Sequence, residues 1–419
     1  MLKVGGDVDI DVDTIEIMDS IEKKRNRMIE DMVKMCSIPA VNPKFNGTGE
    51  YERMQWLTGV LKDYSIPYEV YEVEDKSVKE QKRLNIVVKL EGTQKTEATL
   101  WFIAHMDTVG AGDLDTWNSD PFNPIIKSGK IYGRGVEDNG QAVICSLYTC
   151  LTLREKGIRP KCNVGFIFAS DEETGSEFGL RALVDKGIFK PGDEAIIPDA
   201  GCHDGSFIEI AEKSMYWIKF TVLGKEAHAS MPHLGINASS ISSHFAAELE
   251  DRLKAMFPDK DELFDPPYST FEITQRYANV ESPNVLPGKD IFIMDIRVLP
   301  VFKLDDIIRE IDRLSGMYEY KYKVKISYEF LQKVVAPKPT PKDSRIVSNI
   351  TDVISEFGIK PRVGGIGGGT CAAILREIGI PSVVWSTVDE LAHQPNEYTV
   401  IDNLVKDTKV FVATVMKYL

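Results

Sequence analysis

At 419 residues the chain exceeds what one hydrophobic core comfortably organises, so two domains are the natural expectation. Hydrophobic residues at 43% and charged ones at 27% exclude a disordered chain, and no apolar run approaches the roughly 20 residues of a membrane helix. A formal net charge of -14 without a basic stripe argues against a nucleic-acid partner.

The opening segment "MLKVGGDVDIDVD" lacks the apolar stretch of a signal peptide, which makes the cytoplasm the expected location, with no membrane partner. Residues 15–36 carry helical apolar spacing with a charged opposite face. Strands are predicted at "RLNIVVKL", "ATLWFIAH" and "CNVGFIFAS", the last two so apolar that both faces should be covered. A helix is predicted from Gly140 to Gly157 and a short strand at "EAIIPDA". Strands buried on both faces and alternating with helices indicate an α/β architecture.

Past about residue 212 the pattern changes. Strand, helix, strand, strand, helix and strand follow from "MYWIKFTVLG" to "YKVKISYEF", the β-α-β-β-α-β order of a compact two-layer domain. "VVAPKPTPKDS" reads as a linker, and helix, strand and a last helix from Asn403 to Leu419 complete the chain. The fold class is therefore α/β, with a discontinuous domain of residues 1–212 and 332–419 interrupted by an inserted domain of residues 213–331.

Polar residues gather where the buried strands end. His105 and Asp107 follow one strand, and in an extended backbone they share a side, so one can bind a metal while the other orients it. A loop hydrogen-bond pair is the plainer reading of those two alone. Glu137 and Asp138 sit in a glycine-rich turn ahead of a helix, where capping is the ordinary role. Capping does not explain why "GRGVEDNG", "DEETG" and "PDAG" each adjoin a buried strand and each carry a carboxylate. Ligands of open α/β sheets bind at the carboxyl ends of strands. With His393 of "AHQPNEY", these segments can supply two imidazoles and three carboxylates, a donor set that suits zinc and also accepts cobalt or manganese. Two ions would need a bridge and a base: Asp138 can bridge, Glu173 and Asp199 can each serve one ion, and Glu172 is left as the base. Six cysteines without a CxxC pair fit reduced thiols.

"HMDTV", "GRGVEDNG", "DEETGS", "GKEAHAS", "NVLPG" and "GGGTCAA" together resemble the metallopeptidase family M20, in order along nearly the whole chain. That family includes acetylornithine deacetylases, succinyl-diaminopimelate desuccinylases, aminoacylases and related carboxypeptidases. The resemblance implies a zinc-exopeptidase-like catalytic domain with a ferredoxin-like lid and dimerisation domain inserted in it. It implies two divalent ions per subunit, one held by His105 and Asp199 and the other by Glu173 and His393, with Asp138 bridging. Glu172 would be the general base, with Asp107 behind His105. His228 would reach the partner subunit's site in a homodimer and steady the oxyanion. Asn284 and Arg297 would contact a substrate carboxylate, and Gly367, Gly368, Gly369 and Thr370 would let backbone approach the substrate. The implied reaction is hydrolysis of an amide in an N-acyl amino acid or diamino acid by a metal-bridging hydroxide. A carboxypeptidase or dipeptidase acting on short peptides is the alternative within the family, and a non-catalytic metal-binding or scaffold protein the alternative outside it. His203 and His233 lie beside these motifs without matching a ligand position, so structural or solvent-facing roles are expected.

Overall fold

The computed structural model describes residues 12–419. The reading of residues 1–13 as free of a leader therefore falls mostly outside the described residues. The chain forms two compact units, one of Met1–Ile210, Thr340–Val363 and Thr370–Leu419, the other of Ala211–Pro339 and Gly364–Gly369.

The first unit is built on an eight-stranded sheet. In spatial order its strands are Glu69–Glu74, Lys82–Leu90, Asn163–Ala169, Thr99–His105, Glu194–Ile197, Ser382–Val384, Phe207–Glu212 and Arg362–Ile366. Every residue of Thr99–His105 and of Asn163–Ala169 is buried, as their nearly all-apolar sequences lead one to expect. These two strands run parallel, with His105 opposite Ala169, and Glu194–Ile197 runs parallel on the other side. Gly165 interrupts the second strand for a steric reason: a Cβ there would lie 2.1 Å from the Trp101 ring on the neighbouring strand.

The helix Ala142–Glu155 is buried from Ala142 through Leu153 and packs against both Thr99–His105 and the last helix, Ile401–Met416. A helix that is apolar all round must be covered all round. The helical pattern of residues 15–36 is realised as two helices, Val12–Lys23 and Arg25–Cys36, broken at Lys24. The helix Tyr51–Asp63 and the strands Glu69–Glu74 and Phe207–Glu212 were not foreseen from periodicity. Glu69–Glu74 is a short strand in which three of six residues are glutamate, and its place is set by pairing with Lys82–Leu90.

The second unit has a four-stranded antiparallel sheet in the order Thr270–Arg276, Lys289–Val298, Ser214–Leu223, Lys325–Val334. With the helices Ala238–Met256 and Leu304–Tyr322 inserted in chain order, this is the expected β-α-β-β-α-β arrangement. Its core joins Ile218, Phe220 and Phe292 of the sheet to Phe245, Leu249 and Ile311 of the helices. Phe220 and Phe292, on adjacent strands, stack with ring centroids 4.8 Å apart. Asn237 caps the first helix by accepting the Ser240 N–H at 3.0 Å.

Candidate metal centre

Three parallel strands of the first unit deliver acids and a histidine to one end of the sheet. His105 closes Thr99–His105, the turn Glu172–Thr174 follows Asn163–Ala169, and Asp199 follows Glu194–Ile197. This is the carboxyl-terminal edge where parallel sheets bind ligands. Nε2 of the buried His105 lies 3.0 Å from Asp138 Oδ1 and 3.2 Å from Asp199 Oδ1. Nε2 of His393 lies 3.2 Å from Asp138 Oδ2 and 3.0 Å from Glu173 Oε2. The two oxygens of Asp138 thus face different imidazoles. Ligand atoms of His105, Asp138 and Glu173 all lie within 4.8 Å of one another, and so do those of His105, Glu172 and Asp199.

The loops that carry these residues are tied down by groups the sequence did not single out. Glu397, fully buried, accepts from Arg134 Nη1 at 2.7 Å and from the N–H groups of Gly135, Glu137 and Asp138 at 3.0, 2.9 and 3.1 Å. Gly135 takes a positive φ of 78°, and a Cβ there would lie 2.5 Å from Thr108 Cγ2, so glycine is required at this turn. Glu137 turns away from the centre and accepts the N–H groups of Asp389 and Leu391, fixing the loop that leads to His393. Asn139 accepts the His105 N–H at 3.2 Å and donates to Asp199 Oδ1 at 2.9 Å. Glu397 lies within "AHQPNEY", but nothing in the spacing of that motif marks it.

Asp107 is fully buried and faces more than His105. The nearer acceptor for His105 Nδ1 is the Asp107 carbonyl at 3.0 Å, while the carboxylate is 3.5 Å away. That carboxylate accepts from Asn42 Nδ2 at 2.9 Å and from the N–H groups of Glu172 and Glu173 at 3.0 and 3.3 Å. Asp107 therefore orients the acidic turn as well as the imidazole. Asp171 is buried in this framework, accepting from Asn42, Thr174 and the Phe178 N–H. Of the three consecutive acids, one is structural and two reach the centre.

The electrostatics identify what the centre suits. Among the described residues no lysine or arginine pairs with Asp138, Glu172, Glu173 or Asp199, so four carboxylates face two imidazoles. Burial, then the nearby Asp199, pushes Glu172 well above the usual carboxylate range. Burial, then Asp138, pushes Glu173 up to about 7. Hydrogen bonds to Asp138 and Glu173 raise His393 to about 10. Burial opposes the charged forms of His105 and Asp138, but their hydrogen bonds prevail, raising the histidine and lowering the aspartate. Protons thus stand where more positive charge fits better, and nitrogen and carboxylate donors at these spacings match borderline divalent cations.

The remaining predicted residues divide between the units. Thr370, in the first unit, accepts the Ala372 N–H through Oγ1 at 3.1 Å. In the second unit, exposed His228 pairs with Val285 in a short antiparallel ladder, and the Ala229 N–H donates to the Asn284 carbonyl at 2.8 Å, so His228 and Asn284 are neighbours. Arg297 grips both oxygens of Asp295 at 2.6 and 2.9 Å and donates to the Gly367 carbonyl at 2.8 Å. A Cβ at Gly367 would meet nothing within 4 Å, so the surrounding protein imposes no need for glycine there. Gly368 and Gly369 belong to the same segment. His203 and His233 are both exposed.

Residues 101–417 match the peptidase family M20/M25/M40. The chain belongs to this family. The matched span of this M20 chain includes every residue of the candidate centre, while the supporting Asn42 lies before it. An uncharacterized metallohydrolase of Methanocaldococcus jannaschii is 39% identical, over 92% of this chain and 98% of that protein. A succinyl-diaminopimelate desuccinylase of Rickettsia bellii is 25% identical, over 92% and 95% respectively. The aminopeptidase PepT of Bacillus cereus shares the fold with a TM-score of 0.73 at 21% identity, covering 94% of this chain and 98% of its own. The M20 protein is thus a metallohydrolase, with a cluster of candidate metal-ligand side chains in its first unit. No helix among its described residues is long and apolar enough to cross a membrane.

Proposed function

We propose that the protein hydrolyses the amide bond of an N-acyl amino acid or diamino acid at a centre for two divalent ions. The observation that carries this reading is the sharing of Asp138, whose Oδ1 faces His105 and whose Oδ2 faces His393. His105 and Asp199 would hold one ion, Glu173 and His393 the other, with Asp138 bridging. Zinc is the foremost candidate, with cobalt and manganese also suited to the donors. When bound, such ions polarise a carbonyl and make water acidic enough to lose a proton near neutral pH.

Glu172 accepts that proton and returns it to the leaving nitrogen as the carbon–nitrogen bond breaks. Its burial favours this work, because loss of solvation raises the affinity of a carboxylate for the proton it has to take up and pass on. Asp107 contributes by holding the N–H groups of both Glu172 and Glu173, keeping base and ligand in one fixed turn. The first unit is read as catalytic and the second as a lid and dimerisation domain. In that reading His228 steadies the oxyanion from the partner subunit of a homodimer. Asn284, Arg297 and the segment from Gly367 to Thr370 would receive the substrate. Six cysteines, none paired, support a cytoplasmic location.

A substrate panel tests the proposal: acetylornithine, succinyl-diaminopimelate, other N-acyl amino acids and dipeptides, each with metal-free protein reloaded with zinc, cobalt or manganese. Release of an amino acid only from the loaded protein supports it. Cleavage confined to dipeptides reassigns the protein as a dipeptidase, and no turnover of any amide with both sites filled rejects the proposal.

A further inference from the structure

Cys371 follows the glycine run and precedes the short helix Ala372–Glu377, and its side chain is buried. Its Sγ lies 3.6 Å from Oε1 of Glu172 and 3.4 Å from Oγ of Ser176, which is also buried. Among the described residues it is the one side-chain hydrogen-bond donor to the Glu172 carboxylate. The thiol donates to Oε1, an oxygen that can accept whether or not the other oxygen of the carboxyl group carries a proton. The Ser176 hydroxyl is then free to donate to the sulfur, which makes a short chain ending on the carboxylate. Backbone contacts fix the same turn: the Ser176 N–H donates to the Asp171 carbonyl at 2.7 Å.

We propose that Cys371 is a positioning residue for Glu172, fixing the rotation of its carboxylate and reserving Oε1 as an acceptor. The proton taken from water then resides on Oε2. As water's oxygen bonds to the carbonyl carbon, its O–H bond breaks and the proton passes to Oε2. As the carbon–nitrogen bond breaks, the same proton leaves Oε2 for the nitrogen, and the carboxylate is restored. A freely rotating carboxyl group would present either oxygen and waste part of its encounters with the leaving group. The inference rests on Glu172 being the base of the proposed reaction.

Infrared spectra of the metal-free full-length protein test the contact without any substrate. The S–H stretching band that vanishes in Cys371→Ala should shift in Glu172→Gln, because an amide in place of the carboxyl group changes the acceptor that the thiol meets. An unmoved band overturns the inference. In kinetics, Cys371→Ala should lower kcat about tenfold, the low end for a hydrogen bond to a charged group, with KM and bound metal unchanged. Cys371→Ser should recover most of the loss, since its hydroxyl can donate in place of the thiol. An unaltered kcat in Cys371→Ala, or a loss that follows lost metal, also overturns it. Should the wild type cleave no amide, the functional reading fails while the infrared shift still decides whether Cys371 orients Glu172.

Discussion

Glu397 accepts the backbone N–H of Asp138 at 3.1 Å, so a buried carboxylate behind the loop sets where Asp138 sits between the two imidazoles. The same side chain satisfies two further N–H groups and an arginine of that loop. Glu397→Gln replaces one accepting oxygen with an NH2 group that only donates, and the loop must shift. Metal affinity should fall about 10- to 100-fold, the usual cost of removing a group that orients a ligand. Competition against a chelator of known affinity measures it; unchanged affinity would show that the loop holds its shape without the second oxygen.

Adjacent acids should give different phenotypes. Glu172→Gln should keep both metals and lose about 100- to 10,000-fold in single-turnover rate, the range of general acid–base catalysis. Glu173→Gln should chiefly lower occupancy of the His393 side. Metal analysis alongside rapid-quench kinetics separates the two, and exchanged phenotypes would reverse the assignment.

His393 sets a pH dependence whose sign can be worked out. Its folded pKa, raised to about 10 by Asp138 and Glu173, exceeds the ordinary value of 6.5. The folded metal-free protein therefore holds this proton more tightly than the unfolded chain. The resulting stabilisation is complete below about pH 6.5 and is lost as pH rises toward 10. Urea midpoints of the metal-free protein should fall across that window more steeply in the wild type than in His393→Gln. Loading with zinc should remove the difference, because metal binding displaces the proton. Equal slopes for the two proteins would count against the His393 pairing.

Away from the centre, Arg83 bridges Glu50 at 2.6 Å and Asp75 at 2.8 Å with all three side chains buried. Arg83→Met leaves two acids without their cation, and burial already pushes Glu50 up to about 7. Breaking such a buried cluster should destabilise the fold by about 3–5 kcal/mol. Reversible chemical denaturation provides the value; a loss under about 1 kcal/mol would place this cluster with weak, solvent-screened pairs.

Complementation tests the cross-subunit role proposed for His228. Inactive His228→Ala subunits mixed with inactive Glu172→Gln subunits should regain activity, because one shared site combines an intact base with an intact histidine. Recovery at up to about a quarter of wild-type activity is expected from random exchange, where half the dimers are mixed and each has one working site. No recovery after verified subunit exchange would exclude donation by the partner.

What the sequence determined by itself was the α/β class, the β-α-β-β-α-β unit and the segments that meet at the sheet edge. These signals are local: "TLWFIAH" and "NVGFIFA" are nearly all apolar because their strands are covered on both faces, and polar residues of the site gather where each ends. Only the tertiary structure decided which oxygen of Asp138 faces which histidine, since His105 and His393 are 288 positions apart and no periodicity connects them (393 − 105 = 288). The same holds for Glu397 under the Asp138 loop and for Cys371 against Glu172. A short hydrogen bond depends on side-chain positions to within a few tenths of an ångström. Hydrophobic patterning selects the strands and helices, but that precision arises only when the packed sheet has fixed the loops at its edge.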